Sequence, residues 1–421
     1  MDTLIKTAFL LLLCQQIGFG QSVNLDDCYE KAAKHHPSAS QRALIHEAAA
    51  LQVKQFNRNY LPQLSLNGQA TWQSEVTSVE IPFPGINIEA PPKDQYRVTL
   101  DLNQTIWDGG INKRQKDMAS KASYTDQKKL EAELWMIRKQ VHQLYFGVLL
   151  AEKQSEQLTT IRKDLESKKA KIMAAIQNGV AIKSDLLRFE AKLLELKQQE
   201  NELTQRRAAA LEGLGLLIGE ELAVDIKLEQ PSALQADDDQ VLRPELDLFD
   251  AQKELLESQI GLIKVKNNPK LFAFAQGGYG RPGLNMLARD FQPYFIGGIK
   301  FQVPLTHFYS GQSKLEIQQL EIQSQRIERQ KESFLLATDL QVKQLQNEVL
   351  RLESLLESDA ELLKLRQQIK ATAEEQWNNG IATSSDYLEE LSQEDLVRQK
   401  MILHEVLIAQ ARQELSWVRG K

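Results

Sequence analysis

Three histidines form the grouping in this sequence that comes nearest to a metal site. His35, His36 and His46 lie close together along the chain, and Glu47 follows the last of them directly. Imidazole and carboxylate groups are zinc ligands, but the familiar zinc motifs place their ligands at other spacings. The grouping is therefore interpreted as a surface cluster, and no cofactor or metal is predicted.

A glycine-rich segment, Gly277-Gly278-Tyr279-Gly280, could suggest a phosphate-binding loop. It leads into Arg281-Pro282, which indicates a turn, whereas a phosphate loop opens a helix. No nucleophile can be paired with a base elsewhere in the sequence, so the chain is not predicted to be an enzyme. Its net charge of −6 argues against a nucleic-acid partner.

The carboxylates Asp386 and Glu389 are three positions apart, which places them on one face of a helix. Asp185 occupies the place of Asp386 in an earlier, similar segment, and Arg188 stands where Glu389 would fall. Taken alone, acids in a first helical turn suit the helix dipole and stay in contact with water. Any further role depends on the elements that position them.

Those elements occur twice. The segment that follows Asn178-Gly179 returns after Asn379-Gly380, a shift of 201 positions (380 − 179). The same shift maps three earlier residues onto three later ones, namely Trp107, Gly110 and Lys113 onto Phe308, Gly311 and Lys314. The chain is therefore one structural unit used twice, and that repeat determines how every local pattern is interpreted.

Long helices are predicted in both copies. No proline follows Pro304, and no glycine lies between Gly311 and Gly380, so nothing there interrupts a helix. A helix from Ile111 to about Gln177 would be roughly 100 Å long. Each Asn-Gly pair is a helix stop signal, because both residue types tolerate a left-handed conformation. In the second copy, apolar residues recur at steps of three and four: Leu335, Val342, Leu345, Val349, Leu352, Leu356 and Leu363.

Strands precede each long helix. From Leu64 to Trp72, and again from Tyr96 to Leu102, apolar and polar residues alternate, so one face of each strand is apolar. The second copy repeats this pattern less clearly, because Phe272 and Phe274 fall on the face opposite to Leu271. Five aromatic residues lie near the strand ends: Trp72, Tyr96, Trp107, Tyr279 and Tyr294.

The predicted domain boundaries follow from these patterns. Residues 1–20 read as a secretory signal peptide, with a lipid-modified Cys14 as the alternative, and Cys28 is then a lone buried thiol. Residues 21–220 form the first repeat, with a helix, a β-hairpin at about 64–104 and a helical hairpin at about 111–218. A linker spans 221–243. The second repeat covers 244–421, with a helix, a β-hairpin at about 271–304 and a helical hairpin at about 311–418.

Two readings of the strands remain open at this point. Strands of about ten residues with one apolar face are typical of a transmembrane β-barrel wall, but also of a sheet half-buried on a soluble core. Four strands cannot close a barrel alone, since small closed barrels have about eight or more. Because an open edge cannot face lipid, the membrane reading requires several chains to share one barrel.

The segment Asp101 to Gly110, which ends in Trp-Asp-Gly-Gly, resembles the strand-end segment of the TolC-like outer-membrane efflux proteins. Phe301 to Leu305, with Ser310-Gly311, resembles the same segment in the second copy. The two Asn-Gly tips, with an Asp following each, are similar to that family's periplasmic turns. The resemblance extends over essentially the whole chain after the signal peptide.

The resemblance implies a mainly α fold with a small β part, assembled as a homotrimer in the outer membrane of a Gram-negative cell. Twelve strands would form a barrel that contacts outer-membrane lipid, continued into the periplasm by an α-helical barrel. The chain would act as a passive exit duct for efflux or type I secretion, docking onto a periplasmic adaptor (membrane fusion) protein and an inner-membrane transporter.

The resemblance also implies roles for individual residues. The pore constriction would be formed by Asp386, Glu389 and Asp185, and the adaptor would contact the tips at Asn178, Gly179, Asn379 and Gly380. The membrane-facing strand residues would be Leu64, Leu66, Trp72, Tyr96, Val98, Leu100, Phe295, Ile299 and Phe301. Two positions depart from the family pattern, because Trp377 stands where a hydrogen-bonding Tyr can occur and Ala382 where an Arg can.

The main alternative is a periplasmic coiled-coil adaptor or structural scaffold, which would share the helical hairpins and the signal peptide. The amphipathic strand pairs favour the channel, because an adaptor needs a compact domain for which the repeat leaves no room. The sequence does not identify the exported substrate or the partner pump.

Overall fold

The structure is a computed structural model that describes residues 23–78, 89–179, 181–231, 240–305 and 307–421. The predicted signal peptide, including Cys14, and the middle of the predicted linker lie outside the described residues. The division of the chain into two repeats with their stated boundaries therefore stays a prediction.

The chain contains seven principal helices and four strands in the described ranges. Short helical turns also occur at Pro37–Ser40 and His307–Ser310. In chain order the principal elements are α1 (Leu25–His35), α2 (Gln41–Arg58), β1 (Gln63–Trp72), β2 (Asp94–Trp107), α3 (Ile111–Gln177), α4 (Lys183–Ile218), α5 (Pro244–Lys266), β3 (Lys270–Arg281), β4 (Gln292–Gln302), α6 (Gln312–Asn378) and α7 (Ser384–Arg419).

The two copies of the helical hairpin have identical lengths. Helices α3 and α6 both contain 67 residues, and helices α4 and α7 both contain 36. The prediction of a mainly α fold with a small β part is confirmed. Within the described residues, no helix has both the length and the apolar character that are needed to cross a lipid bilayer.

The four strands form one antiparallel sheet in the order β1-β2-β3-β4. Residues directly opposite each other on neighbouring strands share a face of the sheet. Leu66 lies opposite Leu100, which lies opposite Gly277, and Gly277 in turn lies opposite Phe295. The alternating apolar residues of all four strands therefore fall on a single face. This sheet belongs to a compact unit of residues 42–128 and 247–331.

The other compact unit comprises residues 129–246 and 332–421 with the described residues before position 42. Its largest core packs Cys28 of α1 against Tyr145 of α3 and Leu214 of α4, all of them buried. The Tyr145 hydroxyl lies 2.8 Å from the Val23 backbone oxygen and 2.7 Å from that of Glu229, so its single proton is shared between two connecting segments. Burial raises the pKa of the Cys28 thiol to about 12, so it stays protonated, in agreement with the buried thiol predicted from the sequence.

Candidate functional site

The turns that connect the long helices rest on glycine. Gly179 and Gly380 have φ angles of 73° and 74°, a conformation that side chains disfavour. A Cβ atom at either glycine would meet nothing within 4 Å, so backbone conformation and not space selects glycine there. After Gly380, the N–H groups of Ile381 and Ala382 both donate to the Gln376 oxygen, which closes the end of α6.

The second tip begins α7 with a reciprocal capping box. Thr383 is the N-cap residue, and its hydroxyl accepts from the Asp386 N–H at 3.3 Å. The Asp386 carboxylate accepts in return from the Thr383 N–H and hydroxyl, both at 2.8 Å. These bonds hold the pKa of Asp386 below its ordinary value, mainly through the Thr383 backbone N–H. Asp386 is exposed, yet part of its carboxylate already stabilises the helix start.

The first tip lacks this arrangement. The N-cap residue of α4 is Ile182, which makes no side-chain capping bond. The carboxylate of Asp185 is therefore available and accepts from the Ser384 hydroxyl at 2.6 Å. Ser384 is almost completely buried. The two acids at corresponding positions thus do different things: Asp386 caps its own helix, and Asp185 links the start of α4 to the start of α7.

Three aromatic rings stack just behind the tips. Trp377 lies 5.3 Å from Tyr387 and 5.6 Å from Phe189, measured between ring centroids, with interplanar angles of 19° and 26°. Phe189 and Tyr387 are fully buried. Stacked aromatic pairs of this kind add to the energy of apolar burial. The three residues come from α4, α6 and α7, so the stack joins both copies of the repeat.

A polar cluster lies against this stack. The Tyr387 hydroxyl donates to Asp164 at 3.2 Å, and the Lys168 ammonium group pairs with Glu374 and lies 3.8 Å from Asp164. The Lys168 side chain is only 7% exposed and sits 4.8 Å from the centre of the Tyr387 ring. Burial, and then the charges of Asp164 and Glu374, raise the pKa of Tyr387.

The sequence reasoning missed this cluster. It noted that Trp377 stands at a position where the family can place a hydrogen-bonding Tyr, and it identified no other residue that could link the helices through a polar contact. The structure supplies the hydroxyl ten positions later, from Tyr387. Its partners lie on α3, more than two hundred residues away in sequence, and no local periodicity in that helix marks Asp164 or Lys168.

Asp386 and Glu389 share a groove between α6 and α7 with a volume of about 480 Å³. Glu389 is exposed, and its neighbour Glu390 pairs with Arg366 at 3.2 Å. Asp185 does not line this groove. The structure therefore brings two of the three predicted constriction acids together and places the third at the link to Ser384.

The predicted membrane-facing residues share the apolar face of the sheet and are exposed in the single chain. Leu66 is 74% exposed, Trp72 73% and Ile299 71%. The others are also exposed: Leu64, Tyr96, Val98, Leu100, Phe295 and Phe301. Exposure of so many large apolar side chains on one face indicates a surface that is covered by something outside this chain.

A β-bulge and two glycines account for three aromatic side chains whose positions the alternating pattern does not explain. The register shifts between Thr105 and Trp107, which brings Trp107 opposite Leu271 and so onto the apolar face. Phe274 lies on the polar face, as its register predicted, and its ring covers Gly298. Tyr294 lies on the same polar face and covers Gly278. The aromatic rings thus fill places where the opposing strand has no side chain.

Comparison with known proteins bears directly on this arrangement. Residues 28–220 match the family model described as Outer membrane efflux protein. Residues 28–220 belong to that family. No curated protein sequence matches the chain. The match confirms the predicted TolC-like family and the predicted location in the outer membrane, extending into the periplasm.

Solved structures of similar fold cover nearly the whole chain. The outer membrane protein VceC from Vibrio cholerae is 16% identical, with a TM-score of 0.62 over 94% of both chains. CusC is 16% identical, with a TM-score of 0.65 over 96% of this chain and 93% of its own. The MtrE outer membrane channel of Neisseria gonorrhoeae is 14% identical, with a TM-score of 0.60 over 94% of this chain and 88% of its own. The fold of this chain is therefore that of outer-membrane channels, a class of transporters and not of enzymes.

Proposed function

We propose that three copies of this chain form a passive exit channel through the outer membrane, with a closed barrel of twelve strands. One observation carries the proposal. Within the described residues, β1 and β4 each have a partner strand on one side only, while the sheet presents an exposed apolar face. Each unpaired backbone group in lipid costs several kcal/mol, so sister chains must supply the missing partners.

The second long helix supports the same assembly. Helix α6 carries large apolar side chains that this chain leaves exposed: Leu336, Leu340, Leu350, Leu362, Leu365 and Ile369. Water-exposed leucines at this density are unfavourable in an isolated subunit. Contact with sister copies would cover them and extend the channel beyond the membrane as a helical barrel.

The tips are the proposed contact with a periplasmic adaptor, which would connect the channel to an inner-membrane transporter. Asn178, Gly179, Asn379 and Gly380 are all exposed at the ends of the hairpins. The names of the similar structures support a channel role, since CusC is described in terms of transmembrane channel formation and MtrE in its open state. The energy for transport would come from the inner-membrane partner.

Asp386 and Glu389 are the proposed constriction in this channel. Three copies would bring six carboxylates from adjoining helix starts near one axis, and such a ring favours cations. Asp185 would act differently, because its carboxylate is engaged by Ser384. The proposed constriction therefore consists of Asp386 and Glu389 at the second tip and does not include Asp185.

The assembly is tested by moving a charge between the two faces of β1. Leu66→Asp places a carboxylate on the apolar face, at a cost of the order of 2 kcal/mol per copy in lipid. Gln69→Asp makes the same addition on the polar face of the same strand. We expect Leu66→Asp to deplete the assembled trimer in detergent-extracted outer membranes, and Gln69→Asp to leave it at wild-type level.

Native mass spectrometry of the extracted protein measures both outcomes. Equal trimer yield from the two variants, or a wild-type chain found as a soluble periplasmic monomer, would end the channel proposal. The second result would favour the adaptor or scaffold alternative.

The constriction is tested by Glu389→Gln, which removes a charge without disturbing the capping box at Asp386. We expect the preference of the reconstituted channel for potassium over chloride to fall in planar-bilayer recordings. Glu375→Gln, at an exposed position near the end of α6, is the matched control and should leave the preference unchanged. If both variants keep wild-type selectivity, Glu389 does not line the narrowest part of the pore.

A further inference from the structure

The polar face of the sheet contains a cavity of about 480 Å³. Small-molecule sites typically have volumes of about 300–1,000 Å³. The residues that line this cavity combine a carboxylate, an ammonium group, two aromatic rings and several amides: Gln63, Asp101, Asn103, Thr105, Phe272, Phe274, Gln276, Ile296, Lys300 and Gln302 are among them. Its size and mixed chemistry are those of a site for an organic molecule.

Asp101 is held in the wall of this cavity by neutral donors. Its carboxylate accepts from Asn67 at 2.6 Å, from Thr99 at 3.0 Å and from Gln276, so β1, β2 and β3 all fix it in place. Within the described part of the chain no basic side chain forms an ion pair with Asp101. The nearby Arg97 donates instead to Gln69 at 2.6 Å. The carboxylate is therefore preorganised, and Arg97 is close enough to act on its charge without forming an ion pair with it.

The cation that also lines the cavity is too distant to pair with it. Lys300 lies on β4, two strands from Asp101 and four residues beyond Ile296, the residue level with Asp101 on that strand. At about 4.8 Å between strands and about 3.4 Å per residue, the two Cα atoms are roughly 17 Å apart. The cavity thus has a negative end at Asp101 and a positive end at Lys300.

Between these ends the cavity has an apolar floor. Phe272 and Phe274 interrupt the polar face of β3, and Ile296 does the same on β4. The Phe274 ring lies flat enough over the strand that a Cβ at Gly298 would meet two of its atoms at 3.2 and 3.3 Å. A flat ring and a nearby carboxylate are together what an aromatic cation requires, because the ring face also attracts positive charge.

We propose that this cavity binds organic cations that carry an aromatic or other flat apolar group, with the charge at Asp101 and the ring on Phe272 and Phe274. The placement of the site in the channel lumen rests on the proposed function, in which three such sites would line the barrel and act on the cargo. Lys300 orients the ligand by repelling its charged end.

The test is a fluorescence titration of the purified full-length trimer in detergent, with ethidium as the aromatic cation. We expect saturable binding that Asp101→Asn weakens at least about tenfold, since a contact to a charged group is lost. Phe274→Leu should weaken it as well while keeping an apolar side chain over Gly298. Asp290→Asn removes an exposed carboxylate from the loop between β3 and β4 and is the matched control, with unchanged affinity expected.

A matched anion, 1-anilinonaphthalene-8-sulfonate, separates charge recognition from simple apolar binding. Its affinity should not fall in Asp101→Asn. Equal loss of both probes, or unchanged ethidium affinity in both Asp101→Asn and Phe274→Leu, overturns the inference. If the trimers conduct ions but do not bind ethidium, the proposed binding site is wrong and the proposed channel function stands. If the wild-type chain does not form trimers, the proposed function is wrong, and the ethidium titration of the purified chain still tests the cavity.

Discussion

Helices α3 and α6 occupy corresponding places in the two copies and have the same length, yet they are buried very differently. Helix α3 buries a long series of apolar residues along its length, including Val141, Tyr145 and Leu165. Helix α6 buries far fewer and exposes Leu336, Leu350 and others. The two helices therefore share a backbone length but differ in burial: α3 contributes to the core of the chain, whereas α6 has an exposed apolar surface that sister chains would cover in the proposed assembly.

The tips show the same division of roles. Thr383 gives the second tip a capping box, and the corresponding residue of the first tip is Ile182, which cannot cap. Asp185 is thereby free to bond Ser384 of the other copy. The stack of Phe189 on Trp377 joins the copies in a similar way. Two similar hairpins therefore differ in the residues that bind them to each other.

The largest expected effect comes from the ion pair that joins the two copies, between Lys168 of α3 and Glu374 of α6. Glu374→Ala leaves Lys168, which is almost fully buried, without its main partner. Because Glu374 is partly exposed and Asp164 remains 3.8 Å from the ammonium group, the cost should be about 3 kcal/mol, the lower end for a buried pair. Glu348→Ala removes an acid of α6 whose pair with Arg351 is exposed, and should cost less than about 1 kcal/mol. Thermal unfolding of the purified variants measures the difference.

The double variant Lys168→Met/Glu374→Met should recover most of the lost stability, because it buries no unpaired charge. If Glu374→Ala unfolds at the same temperature as Glu348→Ala, the buried pair does not tie the two copies together. Contacts between the two copies would then be no more stabilising than contacts within one helix.

The sequence was sufficient to predict the elements that repeat. The absence of proline and the two Asn-Gly stops predicted a helix from Ile111 to about Gln177, and α3 has those bounds. Period-two alternation predicted the apolar face of β1 and β2, because each side of a strand is set by local spacing. Features that depend only on neighbouring residues could be predicted in this way.

The contacts between copies could not be predicted. The Tyr387–Asp164 and Lys168–Glu374 pairs join residues more than two hundred positions apart, and either partner alone looks like an ordinary helix residue. The bulge before Trp107 likewise depends on the opposing strand, which the alternation of β2 does not record. Asp386 was correctly placed in a first turn, but its capping partner depends on the backbone geometry at Thr383.

A pH measurement sharpens the comparison at His142, whose counterpart in the second copy is Lys343 (343 − 142 = 201). Burial lowers the pKa of His142 to about 4, against a smaller opposing effect of the Gln410 backbone. Between pH 6.5 and pH 4 the unfolded chain therefore binds a proton that the folded chain does not. The contribution of His142 to the free energy of unfolding is fully present above pH 6.5. It decreases as the pH falls, and roughly 3 kcal/mol has been lost at pH 4.

Unfolding temperatures of the wild type and of His142→Gln, compared at pH 7 and pH 4.5, isolate this contribution. The variant should lose less stability than the wild type on acidification. Lys343→Gln alters the exposed counterpart and should follow the wild-type profile. Parallel profiles for all three proteins would show that His142 is protonated in the folded chain, and that the buried and exposed copies do not differ in this respect.

The smallest expected effect tests the tips. Thr383→Ala removes the hydroxyl that accepts from the Asp386 N–H and should destabilise the first turn of α7 by about 1 kcal/mol. Ile182→Ala changes the corresponding residue of α4, where no side-chain cap exists to be lost. Hydrogen exchange followed by mass spectrometry should show roughly fivefold faster exchange for the Asp386 region in the first variant, and little change at Asp185 in the second. Equal acceleration at both tips would mean that the capping box adds nothing to the second copy, because the two hairpins would then start their return helices with the same stability.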